Sequence, residues 1–131
     1  MIGLDTNVLV RYIAQDEPRQ AAKAVHLIEE VCGEARPGFV TIVALAELVW
    51  VLEECYDSAK TDVAAILERI LRTKQFVVED AETVWKAVRL FEASPADFAD
   101  CLIDRVGAAH DCEYTATFDK GAAKAGMHLI E

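Results

Sequence analysis

Positive charge is in short supply in this sequence: 13 lysines and arginines face 23 aspartates and glutamates, a formal net charge of −10 at pH 7. That balance argues against a protein that grips nucleic acid through a broad basic surface, and it favours a basic partner. No apolar run approaches membrane-spanning length, so no membrane association is expected. Ile2 and Leu4 follow so closely on Met1 that a basic stretch backed by an apolar one has no room to form. No secretory leader is expected on that ground, and the cytoplasm is the expected compartment. There is no C-x-x-C pair among the four cysteines, Cys32, Cys55, Cys101 and Cys112. Without paired ligand spacings, a structural zinc site or disulfide framework loses its support, and reduced, mostly buried thiols are expected. Neither G-x-x-x-x-G-K-[ST] nor G-x-G-x-x-G occurs, which removes the usual basis for a nucleotide-binding reading.

What is present suits a folded domain. Hydrophobic residues make up 53% and charged residues 27% of 131 positions, enough apolar area to offset the entropy of ordering the chain. A chain of this length buries roughly two-thirds of the surface its unfolded form exposes, and one domain over residues 1–131 is expected. Short β-branched or aromatic runs alternate with longer segments of helical period, the pattern of a parallel sheet in an α/β domain. The expected strands are Met1 to Asp5, Gly38 to Thr41, Phe76 to Glu79, Glu113 to Thr117 and Met127 to Ile130. Pro18 suits the first turn of a helix to about Cys32, and Thr41 can cap one running to about Tyr56. Ser58 should open a helix to about Lys74, and Asp80 can cap the next. Ser94-Pro95 breaks the chain before a further helix from about Asp97 to His110. The order is β-α-α-β-α-α-β-α-α-β-α-β.

In such a sheet the crossover helices run antiparallel to the strands, so helix N-termini share an edge with strand C-termini. Four separated carboxylates map to that edge. Asp5 ends the first strand, Glu47 lies early in the helix after the second, Asp100 opens the helix before the fourth, and Asp119 follows that strand. Each has an ordinary reading. Asp5 and Asp119 could simply cap helices. Glu47 is the one charged residue between Val40 and Leu52, in a helix expected to be buried nearly all round, and could form a structural ion pair. Asp97, Asp100 and Asp104 fall on one helix face, which could be a solvated acidic stripe. Convergence decides between the readings, because unpaired carboxylates within about 4 Å repel by roughly 4 kcal/mol at an effective dielectric near 20. A bound cation reverses that sign. Oxygen-only ligands suit Mg²⁺ or Mn²⁺ better than zinc.

The segments Asp5-Thr6-Asn7, Ala44-Leu45-Ala46-Glu47-Leu48, Asp97-Phe98-Ala99-Asp100-Cys101-Leu102-Ile103 and Thr115-Ala116-Thr117-Phe118-Asp119 resemble the successive motifs of a PIN domain, and more narrowly of VapC-type toxins. The resemblance runs from Met1 to the Gly126-Met127 region. It implies a three-layer α/β/α sandwich around a mostly parallel sheet of four to five strands. It also implies an Mg²⁺- or Mn²⁺-dependent endoribonuclease acting on RNA, commonly a homodimer, held in check by a small VapB-like antitoxin. By that resemblance Asp5, Glu47, Asp100 and Asp119 are the catalytic and metal-binding acids, with Thr6, Asn7, Asp97 and Thr117 supporting them. Asp104 departs from the pattern, where a small residue is expected. Arg11, Arg19, Lys120 and Lys124 could rim the same edge and hold phosphates, or be ordinary solvated charges.

Three other readings stay open. An RNA-processing nuclease outside a toxin–antitoxin pair would share the fold. A metal-dependent phosphatase would also use aspartates at strand ends, but Asn7 stands where its second nucleophile-motif Asp should be. A non-catalytic binding module would have no use for four retained acids.

Overall fold

A computed structural model describes all 131 residues, Met1 to Glu131, as five short strands interleaved with seven α-helices. The strands β1 (Ile2–Gly3), β2 (Gly38–Val40) and β3 (Phe76–Val78) form one parallel sheet in that order, with Ile2 beside Gly38 and Val40 beside Val78. The strands β4 (Ala116–Thr117) and β5 (His128–Leu129) pair in parallel as a second, two-stranded sheet. The α/β class, the strand number and the parallel sense agree with the sequence; the division into three and two strands is new. The strands are shorter than the apolar runs because pairing stops early. Glu113 and Tyr114, for example, are exposed and lie short of the pairing with β5. Gly38 sits at a close approach: a Cβ there would stand 2.7 Å from Leu4 Cδ1, and the Leu4 side chain would have to shift.

The first crossover consists of α1 (Thr6–Ala14) and α2 (Pro18–His26). Pro18 takes the first helical position, where its missing N–H costs nothing, and the Glu17 carboxylate accepts from the Arg19 and Gln20 N–H groups. The expected single helix to Cys32 changes pitch instead, continuing as a π-helical turn over Leu27–Val31 that buries Ile28.

The second crossover, α3 (Ile42–Cys55) and α4 (Lys60–Arg72), begins with the expected cap: Thr41 Oγ1 accepts the Ala44 N–H at 3.0 Å. Glu79 Oε1, just past β3, accepts the Ile42 N–H at 2.9 Å and satisfies another orphan donor. Ser58 does not open α4. Its N–H goes to the Leu52 carbonyl at 2.9 Å, closing the end of α3, and Ala59 takes the cap position.

The helices α5 (Ala81–Ala93) and α6 (Phe98–Ala109) pack on each other before β4, and α7 (Lys120–Lys124) joins β4 to β5. Asp80 precedes α5 in the left-handed region at φ 45°, and its side chain makes no cap bond, contrary to the expectation from sequence. The core joins the sheet to both crossovers through Leu9, Ile28, Leu45, Leu48, Leu67 and Phe98. Each is worth about 1.5–3 kcal/mol by burial alone. Phe91 and Phe98 lock α5 to α6 edge-to-face at 5.7 Å. No helix is long and apolar enough to cross a membrane.

Two expectations about burial fail. The helix α3 is not buried all round: Val43 and Trp50, 68% and 61% exposed, flank an exposed Glu47 on one stripe. The spacing of four and three residues puts all three on the same helix face, turned out from the core. Of the free cysteines, Cys32 and Cys101 are buried while Cys55 and Cys112 are exposed, because the last two fall on the solvent side of α3 and in the loop before β4.

Candidate active site

The parallel sheet carries its chain reversals, and so its helix N-termini, on one edge. Asp5 leaves β1 in extended conformation (φ −73°, ψ 154°) and occupies the N-cap position of α1, yet its side chain makes no cap hydrogen bond. The next residue, Thr6, is 8% exposed, and its hydroxyl donates to Glu47 Oε1 at 2.8 Å. One bond thus ties the start of α1 to the second turn of α3. Glu47 has no cationic partner, so the ion-pair reading of this residue does not hold.

On the other side of the site, Asp119 follows β4. Its backbone N–H donates to Thr117 Oγ1 at 3.0 Å, and its Oδ2 accepts the Ala122 N–H at 3.1 Å as the N-cap of α7. The capping reading is therefore correct for Asp119, and it leaves Oδ1 free for other work. Asp100 lies in the first turn of α6. Its carboxyl is raised above the usual carboxylate range, first by burial and then by the charges of Asp97 and Asp119. That coupling places Asp97, Asp100 and Asp119 in one electrostatic neighbourhood with no basic residue opposing it.

Asp97 sits at the N-cap of α6 without capping it, since its side chain accepts no backbone N–H. Its charge instead reaches Asp100 and also Glu53 on α3, whose carboxyl is raised by burial, then Asp97, then Glu54, with Lys60 opposing. Glu53 went unrecognised in the sequence, where nothing but the packing of α3 on α6 could have pointed to it. Asp104 also departs from expectation. It is 7% exposed, and Arg105 binds its Oδ2 through Nε and Nη2, so it is a buried paired acid and not part of a solvated stripe. Asn7 is exposed on the first turn of α1, in the wall of a groove between α1 and α2.

The structure links the acids two by two: Glu47 is bonded to Thr6, next to Asp5, and Asp100 feels the charge of Asp119. No three acidic, cysteine or histidine side chains close on one point. The donors are nevertheless all oxygens, they carry uncompensated charge, and Glu47 and Asp119 each keep one oxygen unbound by protein. Such a donor set suits a hard divalent cation in its chemistry.

The chain belongs to the PIN domain family, which matches residues 2–126. It is 29% identical over 99 residues to a protein of Aquifex aeolicus (strain VF5) named VapC ribonuclease, across 76% of this chain and 73% of that one.

Proposed function

We propose that this protein is a divalent-metal-dependent endoribonuclease of the VapC type, the toxin of a toxin–antitoxin pair whose other member is a VapB-like antitoxin. The observation that carries the reading is the uncompensated acidic edge, where Asp5, Glu47, Asp100 and Asp119 have no ion-pair partner and Asp100 is raised by burial and then by Asp97 and Asp119. Membership of the PIN family and similarity to a named VapC ribonuclease support it. Asp5, Glu47, Asp100 and Asp119 are the residues to hold Mg²⁺ or Mn²⁺. When bound, the ion would supply charge neutralisation at the phosphate and an acidified water.

The protein's own contribution is positioning. Thr6 holds Glu47 through Oε1 and leaves Oε2 without a protein partner. Thr117 holds the backbone turn that presents Asp119, and the Ala122 N–H pins Oδ2. The Asp97 charge keeps the neighbourhood negative and so selective for a cation. The protein is proposed to act as a homodimer in the cytoplasm.

The test is cleavage of total RNA and of tRNA in Mg²⁺, Mn²⁺ and EDTA. Metal-dependent, EDTA-sensitive cleavage that Asp119→Asn abolishes is expected. Intact RNA in millimolar Mn²⁺, or cleavage equally fast in EDTA, would overturn the proposal. Purification with a co-expressed small basic protein from the neighbouring reading frame tests the toxin assignment separately from the nuclease.

A further inference from the structure

A groove of about 300 Å³ runs between α1 and α2, lined by Asn7, Val8, Arg11, Gln20, Lys23 and Leu27 together with Ala24. It opens beside the Asp5-Thr6 step, for Asn7 forms part of its wall. We propose that this groove binds the phosphodiester backbone of the RNA next to the scissile bond, with Arg11 and Lys23 as the phosphate contacts. This rests on the ribonuclease reading above and deepens it.

Charge and geometry support the assignment. The chain carries a net charge of −10, so RNA must find local cations to approach an acidic edge at all. Two of the 13 basic residues line this groove, Arg11 from α1 and Lys23 from α2. The Arg11 head is already oriented: Nε donates to Gln20 Oε1 at 2.6 Å, and Nη1 stands 3.8 Å from Asp16 Oδ1. Asp16 is itself fixed by the Tyr56 hydroxyl at 2.9 Å. These contacts hold the guanidinium in place through Nε and Nη1, so less side-chain entropy is lost when a phosphate oxygen binds. Lys23 is exposed and makes no ion pair. Val8, Ala24 and Leu27 give the groove an apolar floor on which a ribose or base can rest. An acidic or purely apolar partner would leave either the two cations or that floor unused, whereas a nucleotide uses both.

The experiment measures binding of a fluorescent single-stranded RNA oligonucleotide by anisotropy, with Ca²⁺ replacing Mg²⁺, over a range of salt. It compares the native protein with Lys23→Gln, Arg11→Gln and the double variant. Lys86→Gln serves as a control of equal charge change, since Lys86 lies on α5 in a surface pair with Glu82. Each lost phosphate contact should flatten the slope of log K against log salt by about 0.7. Affinity should fall several-fold per substitution, KM for cleavage should rise with little change in kcat, and Lys86→Gln should behave as native. Groove variants that follow the native salt curve, or a control that shifts as far as they do, would overturn the inference. Loss of binding to a co-purifying protein with RNA affinity intact would also overturn it, placing that protein in the groove instead. If the native protein cleaves RNA while the groove variants bind as it does, only this inference fails. If the native protein neither binds nor cleaves RNA, the ribonuclease reading fails first.

Discussion

Replacing Asp100 with Asn should reverse its effect on stability according to whether divalent metal is present. Without metal, the Asp100 carboxyl is raised by burial, Asp97 and Asp119, so it holds a proton more tightly in the folded chain than in the unfolded one. A carboxyl so raised favours folding below the ordinary carboxylate range, and that contribution is lost as pH rises through its folded value. At neutral pH the charged form is thus the less favourable one. Each like-charge neighbour on a helix costs about 0.2–0.5 kcal/mol, and the α6 N-terminus returns a similar amount, so the net gain from Asn is within about 1 kcal/mol. Over 131 residues an unfolding entropy of roughly 0.28 kcal/mol/K converts this to a rise of at most about 4 °C in Tm. With metal at a hundredfold excess over Kd, the native protein gains about 2.7 kcal/mol, or about 10 °C by the same conversion, and the variant gains much less. The assay is differential scanning fluorimetry in EDTA and in Mn²⁺, at pH 7.5 and again near pH 4, where the metal-free difference should close. A native Tm that does not move in millimolar Mn²⁺, or a variant less stable than native in EDTA, would refute the reasoning.

Three further outcomes are expected. Asp97→Asn should leave stability within about 0.5 kcal/mol in a urea titration, because no cap bond is lost, and should lower the initial cleavage rate far less than Asp100→Asn does; equal loss would make Asp97 a ligand. Thr6→Val removes the hydroxyl that orients Glu47 and should cost about 1 kcal/mol. In a double-mutant cycle with Glu47→Gln the two costs should not add, and additive values would mean that the bond carries no energy. Iodoacetamide at pH 8 should label Cys55 and Cys112 and spare Cys32 and Cys101, since both of the latter are buried and burial pushes the Cys101 thiol up to about 11; mass spectrometry giving two adducts checks this, and four would not fit.

Much of this was legible in the sequence because local chemistry and global fold agreed. Thr41 caps α3 and Pro18 opens α2, and the five apolar runs are all strands in parallel pairings. Where the sequence misled, a tertiary contact had overridden a local signal. Ser58 looks like a helix start, but its N–H is claimed by the Leu52 carbonyl. Asp104 looks like one more surface acid, but Arg105 folds onto it and carries it inside. The helix carrying Glu47 lacks other charges, yet hydrophobic residues such as Val43 and Trp50 can stand in solvent, so absence of charge did not mean burial. Of the proposed site, the spacing of Asp5, Glu47, Asp100 and Asp119 could be read directly. The pairing of Thr6 with Glu47 and the reach of Asp97 to Glu53 could not, because both join residues more than forty positions apart.

The division of the strands into two sheets bears on how this domain breathes. Asp119 is carried by β4, α7 and β5, whose closest packing is with one another, on strands of two residues each. A unit so small and so thinly attached should open far more often than the β1–β3 sheet, and its amides should exchange with solvent long before the core does. Asp119 therefore lies on a part of the molecule with a different lifetime from the parts that carry Asp5, Glu47 and Asp100. Anything that bridges Asp119 to the other acids staples this C-terminal unit to the rest, so amide exchange in β4 and β5 should slow on loading the acidic edge while the core is hardly altered.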